Sequence, residues 1–177
     1  MNKGKCLFLL LFIFSQAKAF NISIFPLNAE QRFIENQNKE MHFVSSTNYA
    51  MELTQDLHQI LLEKSEFKEH SGNSTLNFDE KNEEYHLSYL HQVYRWSQLL
   101  SLHFGLGLGQ YNSSVKTNYI NTSSEDNSGN TLLATGLISL QIQYQYFHGQ
   151  FDFKLIEAKD YNPQPQASLI LHAGVRF

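Results

Sequence analysis

Residues 98–109 alternate between apolar side chains and small or polar ones, and this pattern constrains the fold more than any other feature of the chain. The apolar face consists of Leu100, Leu102, Phe104, Leu106 and Leu108. The opposite face consists of Ser101, His103, Gly105, Gly107 and Gly109. A period of two is the period of a β-strand. At about 3.4 Å per residue and a tilt near 45°, ten residues rise about 24 Å, close to the roughly 25 Å apolar band of a transmembrane barrel.

Residues 132–147 repeat the alternation and indicate which face points inward. Three glutamines, Gln141, Gln143 and Gln145, share one face, opposite a face of Ile, Leu and Tyr. Their amides would stay unpaired in an apolar core, at about 1–3 kcal/mol each. A polar lumen accepts them, so we expect the apolar face to be outermost.

The C-terminal segments follow the same rule. Phe151, Phe153 and Leu155 alternate with Asp152 and Lys154. Residues 167–177 place alternate apolar side chains outward and end on an aromatic one. Two isoleucines break the inward pattern, one in each strand, at positions 156 and 170.

The first half of the chain carries weaker strand signals, and residues 53–67 fit two structures. Leu53, Leu57, Ile60 and Leu61 have helical spacing, whereas only Ile60 and Leu62 alternate cleanly as a strand. We favour a strand, because a barrel with both ends on one side of the membrane needs an even number of strands. Six strands plus a helix is the alternative.

The predicted fold is therefore all-β, an antiparallel up-and-down transmembrane β-barrel of eight strands, closed by the C-terminal strand. The predicted strands are 20–27, 41–53, 56–69, 84–95, 98–110, 131–146, 150–158 and 167–177. Short turns are predicted at 95–98 and 147–150, with longer polar loops at 28–40, 70–83, 111–130 and 160–166. Short turns are typical of the periplasmic side and long loops of the outside.

Aromatic side chains support that orientation, because outer-membrane barrels carry aromatic girdles at both interfaces. Six are predicted near the periplasmic interface, namely Tyr94, Trp96, Tyr144, Tyr146, Phe151 and Phe177. Three are predicted near the outer interface, namely Tyr85, Tyr111 and Tyr161.

The N-terminus has the features of a cleaved secretory signal. Lys3 and Lys5 precede the apolar run 6–14, and the segment ends in the A-x-A pattern of Ala17 and Ala19. We predict that residues 1–19 are a signal peptide and that 20–177 form the barrel domain. Cleavage removes the single cysteine, so the mature chain has no disulfide and no thiol chemistry.

The mature chain is acidic. It retains ten Lys and Arg residues against seventeen Asp and Glu residues, with no basic cluster. This balance argues against a nucleic-acid partner.

These features resemble the small outer-membrane β-barrel proteins of the OmpA/OmpX type. The resemblance rests on the signal peptide, the alternating segments and the final SLILHAGVRF, although Gly174 departs from the usual glycine position of that terminal signal. It implies a Gram-negative outer-membrane location, contact with outer-membrane lipid, and recognition by the assembly machinery through the strand ending at Phe177. It implies no particular function, because this architecture hosts several.

Candidate chemistry is sparse. His86 and His103, with Ser88 or Ser101 and with Glu52 or Asp152, suggest a hydrolase site inside the barrel. The simpler interpretation is a set of luminal hydrogen-bonding residues, and we prefer it.

Four residues of the last two strands, His172, Arg176, Asp152 and Lys154, are interpreted as interior packing, with Asp152 and Arg176 near enough to the same end to form a pair. No catalytic, cofactor-binding or metal residue is assigned.

The functional prediction is a monomeric integral outer-membrane protein with a structural or surface-interaction role, a side-chain-filled lumen and no cofactor. Two alternatives remain. One is an outer-membrane enzyme that modifies lipid A or phospholipid. The other is a soluble secreted ligand binder like a lipocalin, whose apolar stripe would face inward.

Overall fold

The computed structural model describes residues 20–35, 41–72, 76–119, 122–158 and 166–177, which form eight β-strands. The strands are β1 (Asn21–Glu35), β2 (Met41–Gln55), β3 (His58–Gly72), β4 (Leu76–Arg95), β5 (Leu100–Tyr119), β6 (Thr122–Tyr144), β7 (Phe147–Ala158) and β8 (Gln166–Arg176). The predicted signal peptide lies outside the described residues.

The strands form a closed barrel in sequence order. Every strand pairs antiparallel with its neighbours in the chain, and β1 also pairs with β8, from Ser23 opposite Arg176 to Phe33 opposite Ala167. The predicted up-and-down barrel of eight strands is confirmed. Within the described residues, no helix is both long enough and apolar enough to cross a membrane.

The contested region is a strand, and the helical alternative is wrong for it. β3 pairs with β2 from His58 to Glu66 and with β4 from His58 to Gly72, so two ladders satisfy the backbone groups of residues 58–66. Leu61 is buried inside the barrel while Leu62 faces outward. The turn before β3 consists of Asp56 and Leu57, with Asp56 at φ 53°. Aspartate tolerates this left-handed conformation better than most residues.

Three of the predicted loops are largely strand. β1 continues to Glu35, β4 begins at Leu76, and the β5–β6 hairpin extends to Tyr119 and Thr122, so the loops at 28–40, 70–83 and 111–130 are mostly wrong. Polar side chains suggested loops there. A hairpin keeps its backbone ladder without an apolar face, because the ladder bonds do not involve the side chains. Most of the predicted 160–166 loop lies outside the described residues.

The three short turns lie at the end of the barrel that also carries Phe20 and Phe177, which we call the turn end. We call the opposite end the hairpin end. The predicted turn at 147–150 is wrong, because β6 and β7 are joined by Gln145 and Tyr146. Gln145, at φ 52°, is therefore a turn residue and not a luminal one. The β4–β5 turn spans 96–99, where the Ser97 hydroxyl accepts hydrogen bonds from the Leu99 and Leu100 backbone amides.

The two faces of the wall differ as predicted. Leu106 and Leu108 are exposed on the outside, while Lys154 and Asp152 are fully buried inside. The six aromatic side chains predicted near the turn end are all exposed on the outer surface. At the other interface Tyr85 is exposed, and Tyr161 lies outside the described residues.

Tyr111 is the exception among the predicted girdle residues. It packs against the buried pair Leu133 and Ile156, and its hydroxyl donates to the Asn82 side-chain oxygen. Tyr111 is in phase with the inward-facing Gly107 and Gly109 of β5, so its ring points to the interior rather than to the outer surface.

Candidate functional site in the barrel interior

The interior begins, at the turn end, with an amide and carboxylate network. Gln141 donates to Gln59 Oε1 at 2.7 Å and to Glu52 Oε2 at 3.3 Å, and Gln59 donates back to Gln141 Oε1 at 2.8 Å. Thr54 donates to the other oxygen of Glu52 at 2.7 Å. Gln141 is thus luminal and bonded, as its position in the alternation predicts.

Arg176 lies beside this network but does not form the predicted ion pair. Its guanidinium donates to Gln143 Oε1. Asp152 is instead 3.4 Å from His172 Nε2. The two charges lie at different levels along the barrel axis. Asp152 pairs with Ile170 of β8, which is six residues nearer the hairpin end than Arg176, and Arg176 pairs with Ser23 of β1.

The middle of the barrel holds a second polar cluster. Lys154 donates to Glu63 Oε2 at 2.6 Å, and both side chains are fully buried. Gln150 donates to Asp152 Oδ2 at 2.7 Å. His172 lies between the two carboxylates, with Nε2 3.4 Å from Asp152 Oδ2 and 3.7 Å from Glu63 Oε1.

Toward the hairpin end a third cluster is centred on Arg32. Its guanidinium donates to Glu30 Oε1 at 2.9 Å and to the Glu84 carboxylate. His86 Nε2 lies 2.9 Å from the other Glu84 oxygen. The guanidinium also lies 4.4 Å from the centre of the Phe67 ring, a cation–π geometry.

An apolar layer interrupts these polar clusters. Its buried members are Phe25, Ala50, Leu61, Leu90 and Leu137. The two interior isoleucines, at 156 and 170, are also buried, as the alternation requires. The glycines on the inner face of β5 leave room for opposing side chains, since a Cβ on Gly109 would lie 2.6 Å from His86 Nδ1.

The predicted histidine pair is not brought together. His86 is paired with Gly109 and His103 with Gln92, so six residues separate the two along β5. That separation corresponds to about 20 Å. A site using both histidines is therefore excluded.

His103 does contact a hydroxyl, with Nε2 2.9 Å from Ser101 Oγ. A hydrolytic triad also needs a carboxylate on the other ring nitrogen. His103 Nδ1 has no hydrogen-bond partner among the described residues. The arrangement is a serine–histidine pair without the orienting acid.

On the outer surface, the part of β4 near the hairpin end carries an exposed ion pair. Lys81 donates to Glu83 at 2.6 Å, with both side chains partly in solvent. This hydrogen bond raises the pKa of the Lys81 ammonium and lowers the pKa of the Glu83 carboxyl, so both stay charged over a wide pH range.

Several interior residues were not predicted from the sequence. Glu30 and Arg32 fall in a segment predicted as loop, and Glu63 falls in the contested region. Alternation is the signal that could have extended the predicted first strand. The charged residues Glu30 and Arg32 share one face of a strand, and the apolar Phe33 lies on the opposite face.

Solved structures of small outer-membrane barrels share this fold. Neisserial surface protein A (NspA) aligns with a TM-score of 0.65 at 15% identity, over 89% of this chain and 95% of NspA. Ail, the attachment invasion locus protein of Yersinia pestis, aligns with a TM-score of 0.62 at 16% identity, over 89% and 97%. A major outer membrane protein of Thermus thermophilus aligns with a TM-score of 0.60 at 12% identity, over 90% and 100%.

No protein-family model and no curated protein sequence matches the chain. The similarity is thus one of architecture, and it shows the fold of a small outer-membrane β-barrel.

Proposed function

We propose that this protein is an integral protein of a Gram-negative outer membrane, with a structural or surface-interaction role and a side-chain-filled lumen that does not conduct. The observation that carries the proposal is the polarity of the wall. Leu106 is 75% exposed and Leu108 is 70% exposed, whereas Arg32 and Lys154 are completely buried. A lipid environment stabilises this inside-out arrangement, and water does not.

The same polarity argues against a soluble ligand-binding barrel. Such a barrel would turn its apolar side chains toward a ligand cavity and its polar ones toward water. Here the apolar outer wall even carries a shallow groove of about 650 Å³, which includes Tyr49, Met51, Leu87 and Leu108. This surface fits acyl chains of the surrounding lipid.

A closed lumen is supported by the three polar clusters and the apolar layer. An eight-stranded barrel is just wide enough for side chains to fill it. Cross-lumen contacts such as Lys154–Glu63 and Arg32–Glu84 join strands that are not neighbours in the wall. We therefore expect no open diffusion path.

The surface-interaction role is supported by the long hairpin of β5 and β6. Nine residues of β5, from 111 to 119, continue past the last exposed leucine, Leu108. They amount to about 30 Å of additional strand. One structural neighbour is described as a surface protein and another as an attachment invasion locus protein.

The protein is expected to be monomeric, to contact outer-membrane lipid and to be assembled through the strand that ends at Phe177, without a nucleic-acid partner. The charge of the mature chain supports the last point.

The deciding experiment combines membrane fractionation with a gel of unboiled and boiled detergent extract. Outer-membrane recovery with a mobility shift on boiling would support the proposal. Recovery in the soluble periplasm would contradict it. The same folded preparation in a planar bilayer should give no stepwise current, and stable channels would refute the closed lumen.

A lipid-modifying enzyme is the second candidate, and the Ser101–His103 contact is the observation that favours it. It predicts that His103→Ala changes the lipid A or phospholipid profile while the barrel stays heat-modifiable. His86→Ala is the matched control, since His86 bonds to Glu84 far from Ser101. An unchanged profile in a deletion strain would remove this candidate.

A further inference from the structure

Three ligand-type side chains from three strands converge in the middle of the barrel. Glu63 of β3, Asp152 of β7 and His172 of β8 each contribute one atom to a group in which all atoms lie within 4.8 Å of one another. All three side chains are fully buried. Bulk water therefore does not hydrate or screen the charges of the two carboxylates.

The hydrogen bonds around His172 fix its tautomer. Asn28 donates from its side-chain nitrogen to the Phe25 carbonyl at 2.6 Å, which leaves its side-chain oxygen as an acceptor. That oxygen lies 2.6 Å from His172 Nδ1, so Nδ1 carries the hydrogen. In the neutral ring, Nε2 then holds a lone pair.

That lone pair is aimed at negative charge. His172 Nε2 faces oxygens of Asp152 and Glu63 at 3.4 and 3.7 Å, and it makes no hydrogen bond with any described residue. Asp152 Oδ1 also has no hydrogen-bond partner among them. A buried lone pair facing two carboxylates is unfavourable unless a cation lies between them.

We propose that this position binds a divalent transition-metal ion, with zinc the best match, through His172 Nε2, Asp152 and Glu63 Oε1. One imidazole nitrogen and two carboxylate oxygens form a donor set that zinc accepts, with a fourth position for water. Two ligands bonded at about 2.0–2.1 Å to a tetrahedral ion lie about 3.3–3.4 Å apart. The separation of His172 Nε2 from Asp152 Oδ2, 3.4 Å, has this value.

The surroundings are those of a metal site. An imidazole ligand typically donates its other ring N–H to an oxygen, as His172 does to Asn28. Gln150 donates to Asp152 Oδ2 at 2.7 Å, and Lys154 binds Glu63 Oε2. Glu63 Oε1 is left facing the histidine, with only a long contact of 3.4 Å from Asn48.

The middle cluster carries excess negative charge. It holds two carboxylates, Glu63 and Asp152, and one permanent cation, Lys154. With a neutral His172, these residues sum to one negative charge. A bound divalent ion or a proton on His172 would each remove that excess, so the zinc content of the folded protein distinguishes the two.

The test uses the mature chain folded in detergent, stripped with a chelator and dialysed against zinc. Elemental analysis should give one zinc per chain, and cobalt substitution should give the visible absorption of a tetrahedral ion. Asp152→Asn and His172→Gln should each weaken zinc binding at least tenfold. His86→Gln, which changes a buried histidine outside the group, should bind like wild type.

A gel of unboiled and boiled samples shows whether each variant has folded. If the ligand variants do not fold, Asn28→Ala keeps all three ligands and should still weaken zinc binding about tenfold, because it removes the support of His172. Absence of stoichiometric zinc from the wild type, or equal binding by wild type and folded His172→Gln, would overturn the proposal. A proton on His172 would then satisfy the two carboxylates.

Discussion

Arg32 on β1 and Glu84 on β4 form an ion pair across the interior of the barrel, and both side chains are completely buried. β1 and β4 are not neighbours in the wall, so this pair connects opposite parts of the barrel through the lumen. Glu30 and His86 extend the pair on either side. The arrangement makes Arg32 the main positive charge for two buried carboxylates.

Replacing Arg32 should therefore destabilise the barrel strongly. Arg32→Met keeps much of the apolar volume but leaves Glu30 and Glu84 without their guanidinium. Removing one partner of a buried pair costs about 3–5 kcal/mol. The free energy of unfolding can be measured by urea titration in micelles, with the single tryptophan, Trp96, as the fluorescent probe.

The exposed Lys81–Glu83 pair provides the control for that experiment. Lys81→Met removes a cation of similar length from solvent, where water screens and replaces the interaction. The urea midpoint should barely move. Equal effects of the two substitutions would contradict the role of burial assigned to Arg32.

The seam between β1 and β8 should be sensitive to a single methyl group at Gly174. A Cβ there would meet the Ile24 carbonyl and lie 2.8 Å from the Phe25 Cα, and both are backbone atoms that cannot rotate away. Gly174→Ala should reduce the fraction of heat-modifiable barrel and lower its urea midpoint. Gly136→Ala adds the same group where nothing lies within 4 Å, so it should fold like wild type. Normal folding of Gly174→Ala would show that the β1 bulge between Ile24 and Leu27 adapts.

Alternation predicted the wall of this barrel well wherever the membrane enforces it. Residues 100–108 and 151–155 face as expected, because lipid on one side and a polar lumen on the other leave one register that suits both faces. Alternation did not predict the strands of the hairpin end, because their outward side chains are largely polar. There, β5 continues through Ser113 and Ser114 with no apolar face to reveal it.

The pairing of interior side chains could not be predicted from the sequence, for a different reason. Glu63 and Lys154 lie 91 residues apart, and Arg32 and Glu84 lie 52 apart. Alternation indicates that such residues point inward, but their partner depends on the stagger of strands around the barrel. The expected Asp152–Arg176 pair failed on this point, since both are luminal but at different heights.

Export should remove the first nineteen residues. Intact-mass measurement of the membrane-extracted protein should give a chain that begins at Phe20. Ala17→Leu together with Ala19→Leu replaces both small side chains of the A-x-A pattern and should leave a heavier, unprocessed form. Ser15→Ala, just outside that pattern, should be processed normally. A wild-type protein that retains residues 1–19 in the membrane would indicate an uncleaved anchor.

Trp96 should lie at a membrane interface. It is 53% exposed in the β4–β5 turn and its ring packs edge-on against Tyr94, 5.0 Å between centroids. Lipids brominated near the headgroup should quench its fluorescence more than lipids brominated near the end of the acyl chain. Stronger quenching by the deeper bromines would place the turn end inside the apolar band and contradict the assigned girdle.

Phe177 allows recognition during assembly to be separated from barrel closure. Its backbone exchanges two hydrogen bonds with Ile22 of β1, with N–O distances of 2.9 and 3.2 Å, while the residue as a whole is 71% exposed. Phe177→Ala keeps both backbone bonds and removes only the exposed ring. We therefore expect this variant to fold in detergent with the wild-type urea midpoint, but to reach the outer membrane of cells in several-fold lower amount.

Deletion of Phe177 removes the backbone bonds as well and should lower both the urea midpoint and the amount in the outer membrane. Equal cellular amounts of Phe177→Ala and wild type would mean that the ring is not read by the assembly machinery, whereas a lower midpoint in detergent would mean that the ring itself stabilises the seam.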